Sequence, residues 1–390
     1  MPFGIFSTDS SADRCRLRFA AVVLLCAVCA SPVRAAGSRI AVFPPVDRTG
    51  RSAPTDEVLT ALETALSARG FTPVPRAELE EFYRRHRTRY TGGVSAETAL
   101  AIGAETGADG VFLTSVDDWD TVSPPRFAVT CRRVTADAGA TIAWMETSAQ
   151  HGDERPGLFG LGLVTSPEVL IRRAAEEIAE SLAASGDGSR GADRSGVPRR
   201  FRPGSFAVDP AWAATAVAEH PLRVAVLPFV VDPAQRDLGD VLASQFVRWL
   251  RATGRMVVLE PGVVREALLD ARVIQEDGPS LPQGDALRAL LELDLIVSGR
   301  VTDYEAMGSA PGSPFLGFSA SAIDLGSRQV VWSSFSFGRG DDRIGMFGTA
   351  RIRSSVTLLS GLVQGAVGAL DEVLSSRAPV RAAIRKEENR

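Results

Sequence analysis

The chain repeats itself, and the repeat sets what it can fold into. Arg39-Ile-Ala-Val-Phe-Pro44 returns as Arg223-Val-Ala-Val-Leu-Pro228, and each copy opens the same succession of apolar segments. Self-similarity of this kind is read before any short motif, because it defines the register in which motifs must be judged. After the first strand comes a helical pattern with apolar residues three and four apart: Val58, Leu59, Leu62, Ala65 and Leu66 in one copy, Leu242, Phe246 and Leu250 in the other. Gly70 and Gly254 follow these helices, where glycine supplies the left-handed conformation of a cap. A second strand (Phe71 to Val74, Met256 to Leu259) and a second helix (Arg76 to Arg85, Val263 to Ala271) follow.

The third strand aligns Ala108-Asp-Gly-Val-Phe-Leu with Leu293-Asp-Leu-Ile-Val-Ser, each emerging from a short helix. Strand-helix alternation implies parallel pairing of the three strands. Two further strands joined by a short turn, Phe127 to Val134 with Thr141 to Ala149 and Gly317 to Ile323 with Gln329 to Phe337, read as an antiparallel hairpin. Trp144 and Trp332 occupy equivalent places in it and are assigned to the core. A last helix is expected from Pro167 to Ala183 and from Ser355 to Leu374, opened by Ser166 or Ser354 as N-cap. The fold class is therefore α/β: two tandem copies of a three-layer βαβαβ-hairpin-α domain with a mixed, mostly parallel sheet.

The division expected along the chain is 1–36 signal peptide, 38–184 first domain, 185–220 linker, 221–376 second domain and 377–390 flexible tail. Arg14, Arg16 and Arg18 precede an apolar run from Phe19 to Ala30 and a small-residue site, Val33-Arg34-Ala35. That run is short of the roughly 20 residues of a permanent span, so export to the periplasm is expected. An outer-membrane lipoprotein anchored at Cys29 is the alternative. Gly, Ser, Asp and Arg dominate Ala184 to Val197, which bury too little apolar surface to order themselves, although a short helix is expected around Pro210 to Ala218.

The formal charge is -4, and residues 1 to 35 hold four basic and two acidic side chains, so the remainder is near -6 and nucleic acid is not an expected partner. Of four cysteines, Cys15, Cys26 and Cys29 lie in the signal region, which leaves Cys131 alone and allows no internal disulfide. His86, His151 and His220 form no metal-type pair, and His151 is read as a surface histidine. The lysine of a phosphate loop is missing, since Lys386 is the sole lysine, and Gly317-Phe-Ser319-Ala-Ser321 lacks the second glycine of a nucleophile elbow. Asp117-Asp118-Trp119-Asp120 is read as a solvated strand end rather than a calcium loop. No catalytic residue, cofactor or metal ligand is assigned.

Two features remain as candidates for interaction. One is the repeated turn, Gly152-Asp-Glu-Arg155-Pro-Gly157-Leu-Phe159-Gly160 against Gly340-Asp-Asp-Arg343-Ile-Gly345-Met-Phe347-Gly348. In it Asp153, Arg155, Phe159 and Gly160, with Asp341, Arg343, Phe347 and Gly348, brace the return of the chain or offer a docking surface twice. The other is a basic patch, Arg84, Arg85, Arg87 and Arg89, suited to an anionic partner or simply to a helix end where cations meet the dipole.

The strand Arg-(Ile/Val)-Ala-Val-(Phe/Leu)-Pro, the Gly-Ala-Asp-Gly-Val-Phe-Leu strand and the tryptophan hairpin together resemble the curli-secretion (CsgG-like) and penicillin-binding-protein-activator lipoproteins and the amino-terminal domain of TolB. The resemblance covers about 38–184 and 221–376. It implies a non-enzymatic envelope protein, a periplasmic scaffold or assembly factor binding other envelope proteins, with self-association left open. A subunit of an outer-membrane secretion channel or lipoprotein assembly is the second reading, and a hydrolase or nucleotide-binding enzyme a distant third.

Overall fold

Two mixed six-stranded sheets stand in the order in which their copies occur in the chain. They are seen in a computed structural model that describes residues 37–153, 163–185, 201–215, 221–272, 278–305, 313–342 and 351–388. The first sheet is built from β1 (Arg39–Val42), β2 (Val46–Asp47), β3 (Thr72–Pro73), β4 (Gly110–Asp120), β5 (Arg126–Thr135) and β6 (Ile142–His151), with helices α1 (Thr55–Ala68), α2 (Arg76–His86), α3 (Ala96–Thr106) and α4 (Pro167–Ser185). The second is built from β7 (Ser205–Val208), β8 (Leu222–Val226), β9 (Met256–Val258), β10 (Leu295–Glu305), β11 (Phe315–Asp324) and β12 (Gln329–Arg339), with α5 (Pro210–Thr215), α6 (Arg236–Ala252), α7 (Pro261–Asp270), α8 (Leu281–Leu291) and α9 (Ser355–Glu388).

The strand order β3-β1-β4-β5-β6 is answered by β9-β8-β10-β11-β12, which β7 extends. In both sheets the first three strands are parallel and the hairpin antiparallel, as the alternation of strands and helices requires. Small bonds repeat with the strands. Asp109 Oδ2 accepts from the Arg39 amide at 3.0 Å, and Asp294 Oδ2 from the Arg223 amide at 2.8 Å. Trp144 and Trp332 are both in the core, as the pattern required.

The repeated turns begin alike. Gly152 N–H donates to Pro125 O and Gly152 O accepts from Val164. Gly340 does the same with Pro314 and Ile352. A Cβ on either glycine would collide with the carbonyl of Val164 or Ile352, so the sequence position tolerates no side chain. Gly70 and Gly254 have positive φ, 90° and 68°, past the ends of α1 and α6. The two N-cap serines differ: Ser354 Oγ accepts from the Thr357 amide at 3.2 Å, while Ser166 donates to the Glu168 carboxylate instead.

Two elements differ from the sequence reading, and a third agrees with it. β7 lies inside the stretch expected to be linker and pairs with β12, Ser205 opposite Phe335 and Val208 opposite Trp332. Its four residues are too few to show a period. The final helix of the second copy runs to Glu388 rather than Leu374. α5 falls where a short helix was expected.

Both copies lie in one compact unit, Arg39–Arg390. α1 and α4 cover one face of the first sheet around Ile40, Phe112, Phe127, Val129 and Trp144. Burial pushes the Cys131 thiol there up to about 12. The other face, with Ala41, Val111, Leu113 and Val134, joins the same hydrophobic core as Phe246, Phe318, Trp332 and Leu362 of the second copy. α6 is the piece between them, and its residues from Val241 to Leu250 are buried on all sides. Among the described residues α9 has one stretch, Ser355–Ser375, long and apolar enough to cross a membrane. In this fold it packs instead through Leu358, Leu359, Leu362 and Val363 in the shared core.

Candidate functional site

The polar side chains of the interior gather where the two copies meet. Arg132 points from β5 toward the second copy, because Cys131 and Arg133 on either side face α1 and α4's side of the sheet. Its Nε and Nη2 donate to the two carboxylate oxygens of Glu260 at 2.7 and 2.6 Å, and Nη2 also reaches Gly92 O. The pair is bidentate, and both side chains are almost wholly buried, 2% and 0% exposed. Glu260 also receives the Gly262 amide and so closes the start of α7.

α6 makes the rest of the seam. Gln245 Nε2 donates to Thr130 Oγ1 and Thr147 Oγ1 at 3.3 and 2.9 Å. Arg248 binds the Glu146 carboxylate and Ser360 Oγ, and Trp249 Nε1 donates to the same Ser360 hydroxyl at 3.0 Å. Arg251 donates to the main-chain carbonyls of Ile142 and Ala143, which blunts the open edge of β6. Arg48 donates to Ser244 Oγ at 3.3 Å. Asp117 accepts from Ser115 and Thr130. Burial pushes its carboxyl up, opposed by Arg48 and those two bonds.

A second cluster forms at the tip, at the end of β6 where the first repeated turn starts. His151 Nδ1 contacts the Asp153 carboxylate, and Arg353 of the second copy binds Asp153 at Oδ2 and at its carbonyl, both 2.7 Å. His151 is 3% exposed, its Nε2 has no hydrogen-bond partner among the described residues, and burial pulls the imidazole below its usual range against the pull of Asp153. The surface histidine expected from the sequence is thus a buried one. Arg126, opposite it in the ladder, binds Asp120 at 2.8 Å and Asp118 at 3.6 Å. Those acids are therefore paired rather than a merely solvated strand end, and burial pushes Asp118 up.

Of the residues singled out in the turns, Asp153 lies in this cluster and its arginine comes from the other copy. Asp341 is half-buried in the second turn, where the neighbouring Asp342 accepts from the Arg339 amide at 2.7 Å. Arg155, Phe159, Gly160, Arg343, Phe347 and Gly348 lie outside the described residues. The basic patch is on the surface at the end of α2. Arg84 pairs with Glu81 and Arg85 with Glu105, as cations at a helix end do, while Arg87 takes the left-handed cap position and Arg89 is exposed.

A cavity of about 890 Å³ opens between the carboxyl end of α6, α9 and the chain leading into β7. Phe201, Phe206 and Trp249 line it with Gln364, Asp371 and Glu372, and Asp371 is held by Arg255 at 2.7 Å. No group of three or more metal-type side chains comes together among the described residues.

No family model matches the chain, and no curated protein matches it. Solved structures do. The PelC dodecamer from Paraburkholderia phytofirmans matches at 18% identity over 43% of this chain and 95% of that one, with a TM-score of 0.30. Lipoprotein GNA1162 from Neisseria meningitidis matches at 20% identity over 37% and 99%, TM-score 0.28. The LpoB carboxy-terminal domain from Salmonella enterica matches at 22% identity over 33% and 93%, TM-score 0.26. Each solved chain is spanned almost whole and takes up well under half of this one.

Proposed function

We propose that the chain is a non-enzymatic, exported cell-envelope protein, a periplasmic scaffold or assembly factor that binds other envelope proteins through the outer surfaces of two curli-secretion- and TolB-like modules. One observation carries this reading. The charged and amide groups buried between the copies are turned toward each other across the seam: Arg132 to Glu260, Arg248 to Glu146, Gln245 to Thr130 and Thr147. They join the modules into one body and leave its outside for recognition.

The test is photocrosslinking in the living envelope, with a photoreactive residue placed singly at outward positions of each module, such as Arg87 in the first and Val330 in the second. Discrete adducts at one or two positions are the expected result. Uniform, concentration-driven labelling at every position would remove the scaffold reading, as would turnover of a substrate that requires the cavity lined by Trp249.

A further inference from the structure

The outer face of the second sheet has a counterpart in the first, and the two faces are finished differently. Strand pairing sets Ser319 beside Arg300 and Phe335, and Gly317 beside Asp303 and Phe337. Phe318, Ala320, Trp332, Ser334 and Ser336 alternate with them and are buried on the inner side. The first sheet has Thr130, Thr147 and Ala149 at the positions of Ser319, Phe335 and Phe337, and α6 covers that face with Gln245 lying on both threonines. Among the described residues the face of small hydroxyl residues is covered by a helix, while the face bearing phenylalanines has no helix over it. Phe337 is 53% exposed, its ring lies 5.8 Å from that of Phe335, and Arg339 over Phe315 at 4.9 Å continues the row. An exposed aromatic row rimmed by charge is the composition of a docking surface.

Its rim is acidic at the tip, where Asp303 and Glu305 are exposed on β10 and the turn after β12 carries Asp341 and Asp342 next to Arg339, while Arg300 lies further along the same face. The chain itself holds a segment of opposite charge. Beyond Leu374, α9 continues as helix to Glu388, and residues 376–390 hold Arg377, Arg381, Arg385, Lys386 and Arg390 against Glu387 and Glu388. Val380, Ala383 and Ile384 recur at helical spacing within it. At a rise of 1.5 Å per residue this extension is about 20 Å long, roughly the width of the four strands β10, β11, β12 and β7.

We propose that the outer face of the second sheet receives the carboxy-terminal helical segment 376–388 of a second copy of the chain. The chain's own segment starts from the wrong place. α9 begins at Ser355 beside Tyr304 near the tip, runs along the inner face, and reaches Arg255 through Asp371 and Ser375 at the opposite end of the sheet. The contact joins unlike surfaces, so it closes a pair when two copies exchange segments about a two-fold axis and otherwise builds a ring or a row.

Light scattering on the full mature chain across a concentration series, with a chain ended after Ser375 and a Phe337→Arg variant beside it, tests the proposal. The full chain should gain mass with concentration and lose it in high salt, and both variants should stay monomeric with unchanged circular dichroism. A labelled peptide of residues 376–390 should bind the shortened chain and bind about tenfold or more weakly when Phe337 is Arg. Arg381→Glu with Arg385→Glu should abolish assembly, and Asp303→Arg with Glu305→Arg should restore it. A full chain that stays monomeric throughout, assembly that survives both variants, or peptide binding indifferent to Phe337 overturns the proposal.

Discussion

Arg132 and Glu260, 128 positions apart, meet in a bidentate pair at 2.7 and 2.6 Å with almost no exposure to solvent, and each belongs to a different copy of the repeat. Such a pair contributes little relative to an apolar pair of the same shape, because two desolvation penalties oppose the attraction. Removing one member is another matter, since it strands the other charge in the interior. Glu260→Ala and Arg132→Ala should each cost about 3–5 kcal/mol in urea unfolding. The double change Arg132→Met with Glu260→Leu should recover most of that loss, and additive losses would show that the two residues do not act as a pair.

His151 gives the acid limb of the stability curve a specific contribution. Its folded-state value lies below the ordinary 6.5, so the unfolded chain takes up the proton first. The group's contribution is full above pH 6.5 and is lost as pH falls from 6.5 through the lower folded value, with a slope of at most about 1.4 kcal/mol per pH unit. Asp117 and Asp118 are shifted the opposite way, upward, and favour the fold as they take up protons in acid. The quantity to measure is therefore the difference between the natural chain and His151→Asn. That difference should shrink as pH is lowered below 6.5, and a constant difference would remove His151 as its source.

Gly152 and Gly340 face the same steric wall in each copy, a carbonyl where a Cβ would be. Gly152→Ala and Gly340→Ala should each lower stability by about 1–3 kcal/mol, the range for overpacking a tight site. Thermal melts of the two variants should shift in parallel. An unshifted melt for one of them would mean that the turns of the two copies are not equivalent.

The final helices separate in a matched experiment. Ser354→Ala removes an N-cap bond to the Thr357 amide and should cost about 1 kcal/mol, whereas Ser166→Ala removes only an exposed bond to Glu168 and should cost less. Denaturant midpoints at equal slope check the pair.

Most of the architecture was legible because the two copies corroborate each other: a strand suspected in one is confirmed by its mate, as with Arg39 to Val42 and Leu222 to Val226. The seam was not, because its partners differ between copies. Glu260 and Arg132 show no spacing rule, and a helix that reads as amphipathic from Leu242, Phe246 and Leu250 does not disclose that Gln245 and Arg248 on its other side are also buried. His151 was misjudged for the same reason, since its cover includes Arg353, two hundred residues away. The phenylalanine row was written in plain alternation, Phe335-Ser336-Phe337, and only the exposure of Phe337 gives that alternation meaning.

The strand β7 bears on how the molecule is completed. A chain that emerges amino end first presents Ser205–Val208 well before Gln329–Arg339, the strand against which it pairs. The sixth strand of the second sheet is therefore the first of that sheet to be made, and it cannot pair until its partner, the latest strand of the sheet, is made. Four residues made near the midpoint of synthesis thus take their place only with a strand made more than a hundred residues later.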